Sequence, residues 1–268
     1  MIKDDKYIKL INYLKKLDGL AVAFSGGVDS TFLLVAAKIA LGDKVIGITI
    51  NSPYIPDWEI EEAKEIAAKH KIKHIIIDLG IPEIIRNNPS DRCYLCKGIV
   101  FQEIIDEAKK YGFDTVADGT NLDDMGDYRP GLKALDELDV ISPLKENNLS
   151  KQDIRDYSKE LDLPTWEKPP YACMLTRLPY GTEVTESDLL RIEKSEKFIM
   201  DLGFKAIRVR SHGDIARIEI PQARITQIIE LPVAEKIASK LKDFGFEYVT
   251  VDIQGYVMGG FNKEIIKE

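Results

Sequence analysis

The stretch AVAFSGGVDSTFLL, residues 21–34, constrains this chain more than any other. A short apolar strand runs into Ser25-Gly26-Gly27-Val28-Asp29-Ser30, and a helix begins at once. Glycines let the backbone approach a ligand closely, and the N–H groups of such a turn, joined to a helix N-terminus, cradle phosphate oxygens. Ser25 and Ser30 add hydroxyl donors. A plain tight turn accounts for Gly26 and Gly27 but not for the polar Ser25, Asp29 and Ser30 between apolar flanks. No Gly-Lys-Ser/Thr follows, so this is not a Walker loop.

The pattern around the loop predicts strands at residues 19–24, 44–50, 73–79, 115–119 and 140–144. Helices are expected at 30–41, 57–70, 96–111 and after a cap at Ser150. An amphipathic helix should precede them, with Ile8, Ile11, Leu14 and Leu17 on its apolar face. Short apolar strands alternating with helices imply an α/β fold with a parallel sheet and right-handed crossovers. Prolines and a tryptophan break this rhythm at 164–185. Beyond come a helix at 186–202, two strands around a turn at Gly213–Asp214, a helix through Phe244 and a strand near 248–253. That is a small α+β unit with a largely antiparallel sheet. The expected organisation is a phosphate-binding α/β domain at 1–165, an active-site loop or linker at 166–185, and a small α+β domain at 186–268.

Of the 268 residues, none form an apolar run near the roughly 20 that a membrane helix needs. The first residues lack the apolar centre of a signal peptide, so the expected location is cytoplasmic, with no membrane partner. The net charge of −8 argues against nonspecific attraction to nucleic acid.

A second polar block, Asp118-Gly119-Thr120-Asn121-Leu122-Asp123-Asp124, follows the fourth strand. Open α/β sheets bind ligands at that carboxyl edge. Asp118, Thr120, Asn121 and Asp124 are therefore candidates for contacts to Mg²⁺ and to ribose or phosphate. By itself the block also reads as a solvated turn with capping residues; its pairing with the glycine loop favours a site.

Three cysteines remain. Cys93 and Cys96 form C-x-x-C at a helix start, and Cys173 lies in the proline-rich segment. Three thiolates can hold a 4Fe-4S cluster with one open iron, whereas zinc would take a fourth ligand from His70, His74 or His212. The cysteines alone leave both open, and the ATP loop favours iron–sulfur. On the strand 207–212, period-two alternation puts Arg208, Arg210 and His212 on one face, where two arginines can clamp a phosphate. The alternative is a solvated outer sheet face. Arg177 and Lys97 have no assigned role from sequence, and Glu196 is a weaker candidate than the arginines.

SGGVDS (25–30) resembles the PP-loop of ATP pyrophosphatases, which include the NAD, GMP and asparagine synthetases and the tRNA thiolation enzymes. End to end, the chain resembles the LarE family of ATP-dependent sulfur transferases of nickel-pincer cofactor biosynthesis. The strings that carry this are SGGVDS, RCYLCK (92–97), DGTNLDDMGDYRPGLKA (118–134), ISPL (141–144), CMLTRLPYGTEVT (173–185), RVRSHGDIARIEI (208–220) and GFEYVTVDIQGY (245–256). The resemblance implies ATP cleavage between the α and β phosphates, with Mg²⁺ held partly by Asp29. It implies a substrate, pyridinium-3,5-biscarboxylate mononucleotide, whose carboxylates are adenylylated and become thiocarboxylates. It implies that Cys173 is the sulfur-bearing cysteine and that Arg208 and Arg210 lie near the substrate phosphate; Glu196, on the helix before that strand, is a further catalytic candidate beside Cys173 and Asp29. It further implies a homo-oligomer, a hexamer built from trimers through the domain at 186–268, which also binds substrate, while 1–165 is the PP-loop ATP pyrophosphatase domain. Members with the one cysteine sacrifice its sulfur; Cys93 and Cys96 place this chain with members whose 4Fe-4S cluster is fed by a sulfide source. The rival readings are a tRNA thiolation enzyme and a nucleotide or metal sensor without turnover.

Overall fold

The computed structural model describes residues 2–126 and 131–256. Residues 127–130, inside the DGTNLDDMGDYRPGLKA string, lie outside the described residues. The chain divides into two compact units, Met1–Pro82 with Asp91–Pro170, and Glu83–Ser90 with Tyr171–Glu268.

The first unit begins with α1 (Asp5–Leu14), β1 (Leu20–Ala23), α2 (Val28–Leu41), β2 (Val45–Asn51), α3 (Asp57–Lys69) and β3 (Lys73–Asp78). It continues with α4 (Arg92–Lys110), β4 (Val116–Ala117), α5 (Gly131–Glu137), α6 (Pro143–Glu146) and α7 (Lys151–Glu160). The sheet order is β3-β2-β1-β4, with every pairing parallel. β1 and β2 are nearly unbroken apolar runs because helices cover both faces. α2 is buried almost all round, so its sequence VDSTFLLVAAKIAL lacks a polar face. Ser150 caps α7 through a reciprocal bond set with Asp153, as its sequence predicts.

Three local expectations are corrected. The apolar face of α1 is Tyr7, Leu10, Ile11 and Leu14, while Ile8 is 42% exposed. Tyr7 turns that face inward by packing against the rings of Phe32 and Tyr157, at 6.3 and 5.6 Å between centroids. The fifth strand at 140–144 reduces to one bridge, Ala117 to Ile141. Pro143 has no N–H to donate to a ladder and instead opens α6. α4 starts at Arg92, not Cys96, so both cysteines of the C-x-x-C lie within its first turns.

The second unit holds a 3₁₀ turn (Met174–Arg177), α8 (Glu186–Asp201), β5 (Arg208–His212), β6 (Ile215–Glu219), α9 (Ile225–Ile228), α10 (Leu231–Asp243) and β7 (Tyr248–Val251). The sheet order is β5-β6-β7. The tight turn at Gly213–Asp214 makes β5 and β6 antiparallel, but β6 and β7 are parallel, so the sheet is mixed rather than largely antiparallel. The cause is the helical connection through α10, which brings the chain back in the same direction.

Candidate functional site

In the first unit the polar loop follows β1 directly. Phe24 still pairs with the sheet, its N–H donating to Ile48 O at 2.8 Å. Its carbonyl accepts from Thr49 Oγ1, which also meets His74 Nε2 at 2.7 Å. Thr49 has one proton and gives it to Phe24, so His74 carries its proton on Nε2. Burial lowers the His74 pKa, which keeps the ring neutral in that role. His74 therefore braces the approach to the loop.

Gly26 has φ +68°, and an added Cβ there would press on Ala63 and on the Glu59 carbonyl of α3. Both the left-handed backbone and the close approach require glycine. Ser30 Oγ accepts from Ser25 N–H at 3.2 Å and lies 3.1 Å from Ser25 Oγ. Gly27 is the N-cap of α2 and supplies no side chain, so the donors of the first turn are left for an anion. Asp29 pairs through Oδ2 with Lys151 Nζ, while its Oδ1 is buried without a hydrogen-bond partner. Burial pushes the Asp29 carboxyl above its usual value, Lys151 opposes that, and the Asp124 charge adds to it.

Gly119 explains how the second block reaches the loop. A Cβ at this position would lie 2.9 Å from Ser30 N and 3.2 Å from the Asp29 carbonyl carbon. Only glycine permits that approach. Around it, Asp118 accepts from Ser142 Oγ at 2.7 Å and from Thr120 Oγ1, with Lys97 Nζ 3.9 Å away. Asn121 Oδ1 accepts from Asp123 N–H, Asp124 Oδ2 accepts from Asn121 N–H, and Asp123 Oδ2 accepts from Lys151 N–H. The block thus ties the start of α7, and with it Lys151, to the loop. Ser25, Gly26, Gly27, Asp29 and Ser30 form the loop itself, and the Asp124 charge reaches Asp29 from the second block. Lys151 and Gly119 were missed in the sequence, although a lysine directly after a helix cap and a glycine inside DGTN were the available signals.

Cys93 is exposed and Cys96 half-buried, one turn apart on α4. Cys96 donates its thiol to Tyr54 Oη at 3.6 Å, and burial pushes that thiol up. Among the described residues, no three His, Cys, Asp or Glu side chains gather as a ready metal cage.

In the second unit, Cys173 stands at the N-cap of the 3₁₀ turn. Three side chains pin this turn. Arg177, fully buried, donates from Nη1 to the carbonyls of Ala172 and Cys173 at 2.6 and 3.1 Å and to Thr176 Oγ1 at 2.9 Å. Its Nε and Nη2 grip Glu196 at 2.9 and 3.0 Å, and Glu196 also accepts from Val209 N–H at 2.9 Å. Arg210 grips Glu219 at 3.0 and 2.8 Å and donates to the Thr176 carbonyl. Asn88, at φ +46°, donates to the carbonyls of Leu175, Leu178 and Pro179. Sequence reading missed Asn88, because it lies far away in the chain from the turn that it holds.

Arg208 and Arg210 are 2% and 5% exposed, so their strand face is not a solvated one. The Arg208 guanidinium carbon lies 5.1 Å from the ring centroids of both Tyr171 and Tyr256. Burial, and then the charge of Arg177, lowers its pKa. Glu196 is buried inside the Arg177 pair, away from water.

The model of the queuosine biosynthesis protein QueC family matches residues 20–91, the span of the glycine loop and β1 to β3. An uncharacterized protein of Synechocystis sp. is 36% identical, covering 98% of this chain and 99% of that protein. An uncharacterized protein of Methanocaldococcus jannaschii is 37% identical, covering 94% and 97%. The pyridinium-3,5-bisthiocarboxylic acid mononucleotide synthase of Lactiplantibacillus plantarum is 37% identical, covering 98% of this chain and 95% of the synthase. With that likeness running through both units, the chain belongs to the LarE family, that of the synthase.

Proposed function

We propose that this protein is an ATP-dependent sulfur transferase acting on pyridinium-3,5-biscarboxylate mononucleotide. The observation that carries the reading is the near full-length likeness to the named synthase, and the phosphate-shaped loop at Ser25–Ser30 agrees with it. A substrate carboxylate oxygen attacks the α-phosphorus of ATP, and the α–β bond breaks to release pyrophosphate. Adenylylation is needed because a carboxylate is a poor electrophile, whereas AMP leaves far more readily than hydroxide. A sulfur nucleophile then attacks the acyl carbon, AMP departs with the bonding pair, and a thiocarboxylate remains.

Ser25, Gly27 and Ser30 bind the departing pyrophosphate through N–H and hydroxyl donors. Asp29 suits Mg²⁺, since its buried Oδ1 is an orphan oxygen that a divalent cation satisfies. Mg²⁺ held there by Asp29 would supply charge neutralisation for the leaving pyrophosphate. Asp118, Thr120, Asn121 and Asp124 shape the rest of the nucleotide seat. Arg208 and Arg210 hold the substrate phosphate. Glu196 acts by aiming Arg177, whose grip on the Ala172 and Cys173 carbonyls sets the position of the cysteine.

Cys93, Cys96 and Cys173 are the residues that would hold a 4Fe-4S cluster, whose chemistry would be to supply sulfide to the acyl carbon. The spacing of Cys93 and Cys96, one turn apart on one helix, supports two of those positions. The protein acts as a homo-oligomer in the cytoplasm, without nucleic acid or membrane as partner.

The test is pyrophosphate release from ATP with and without the pyridinium nucleotide, alongside D29A. Release that depends on the nucleotide, with product mass showing sulfur in place of oxygen, is expected. A folded D29A protein that keeps wild-type release removes Asp29 from the mechanism, and no release in the wild type overturns the reading.

A further inference from the structure

The segment just before the Cys173 turn is laced to the glycine loop. Arg155, on α7, donates to the carbonyls of Trp166 and Lys168, the latter at 2.9 Å. This fixes the Lys168 backbone. The Lys168 side chain, largely buried, then reaches the Gly26 carbonyl at 3.1 Å and Glu62 of α3. Gly26 is already wedged against α3 by its contacts with Ala63 and Glu59. The first glycine of the loop is therefore held from two sides.

A peptide unit is planar and trans, so its carbonyl and its N–H point in opposite directions. Holding the Gly26 oxygen toward Lys168 sends the Gly27 N–H the other way. There it faces the Ser25 hydroxyl at 3.4 Å, on the side of the α2 N-terminus where an anion would sit. If the Gly26–Gly27 peptide rotated, the loop would present a carbonyl oxygen to a phosphate, which repels it.

The geometry points to Lys168 as a positioning residue of the ATP loop, one that fixes the Gly26–Gly27 peptide so that the Gly27 N–H faces phosphate. It acts through the loop and does not touch the nucleotide. This rests on the reading of the loop as an ATP site. Glu62 and Arg155 are its supports, the first sharing the ammonium and the second anchoring the backbone that carries it.

The test uses the full chain and an ATP analogue with a methylene in place of the α–β bridging oxygen, titrated calorimetrically into wild type, K168M, K168R and E62Q. K168M should weaken the analogue about ten-fold or more, the usual cost of losing a hydrogen bond from a charged donor. In pyrophosphate release its KM for ATP should rise in proportion while kcat holds. K168R, which keeps a cationic donor, should recover part of the loss, and E62Q should weaken binding less than K168M. Circular dichroism checks that each variant is folded. Wild-type affinity in folded K168M overturns the proposal. So does a fall in kcat with affinity unchanged, because the ammonium would then act on the reacting groups directly. K168R as weak as K168M also overturns it. Failure of the wild type to bind the analogue is a separate result, and it removes the ATP reading itself.

Discussion

Arg177 and Glu196 form a buried pair, each side chain 1% exposed, whose removal gives an unequal pattern across single and double variants. In R177M the Glu196 carboxylate loses both guanidinium bonds and keeps the Val209 N–H. Leaving one charge of a buried pair uncompensated costs about 3–5 kcal/mol. E196M strands the guanidinium with two carbonyls and the Thr176 hydroxyl, at a similar cost. The double variant R177M/E196M removes both charges of the pair together, so neither is left without the other. Its remaining losses are the orphaned Val209 N–H, about 1–3 kcal/mol, and the Ala172 carbonyl. The Cys173 carbonyl keeps the N–H and hydroxyl of Thr176. The double variant should therefore be no less stable than either single one, and the pair should couple by roughly 3 kcal/mol or more. Urea unfolding followed by far-ultraviolet circular dichroism reads this directly. At a slope of about 1–3 kcal/mol per molar urea, each single variant should lower the midpoint by more than about 1 M. Single losses that simply add in the double variant would refute the argument, since no shared charge balance would then exist.

R208A and R210A should each weaken the pyridinium nucleotide about ten-fold or more while leaving ATP affinity unchanged; unchanged substrate affinity in both removes this strand as the phosphate site. His74 has a depressed pKa in the fold, so the stability that it lends is present above its usual 6.5 and lost as pH falls below it. Thermal midpoints should therefore drop from about pH 7.5 to 5.5 more steeply in wild type than in H74Q, which keeps a donor for Thr49 but does not titrate; parallel curves contradict this. A C93S/C96S variant should lose both the iron–sulfur absorption of anaerobically purified protein and repeated turnover. Full activity in that variant, or a wild-type chain that loses mass in step with product, supports sacrifice of Cys173 instead.

Local chemistry was the legible part of this fold. The loop at 25–30 declares itself because glycines, hydroxyls and a carboxylate interrupt an apolar run, and the Ser150 cap because its partner is three residues away. The turn at Gly213–Asp214 is equally local. Misreadings arose where partners are distant in the chain. Ile8 satisfies a helical period as well as Tyr7 does, and only the rings of Phe32 and Tyr157 choose between them. Residues 140–144 are as apolar as a strand, but one proline ends the ladder after a single bridge.

The same distinction separates two kinds of candidate residue. Asp29 was legible because nothing local uses it, and the structure leaves one of its oxygens unpartnered. Arg208, Arg210 and Glu196 stand out in sequence as charges in or near a strand, which is ordinarily a solvated pattern. The structure instead buries them and ties Arg210 to Glu219 and Glu196 to Arg177. Burying these charges calls for compensation, and the partners supply it with fixed geometry. Arginines held in that way have little side-chain entropy left to lose on binding. On the proposed reading, the ion pairs of the second unit serve as a mount for Cys173 and the substrate phosphate rather than as a source of stability, which apolar side chains of similar volume would provide as well.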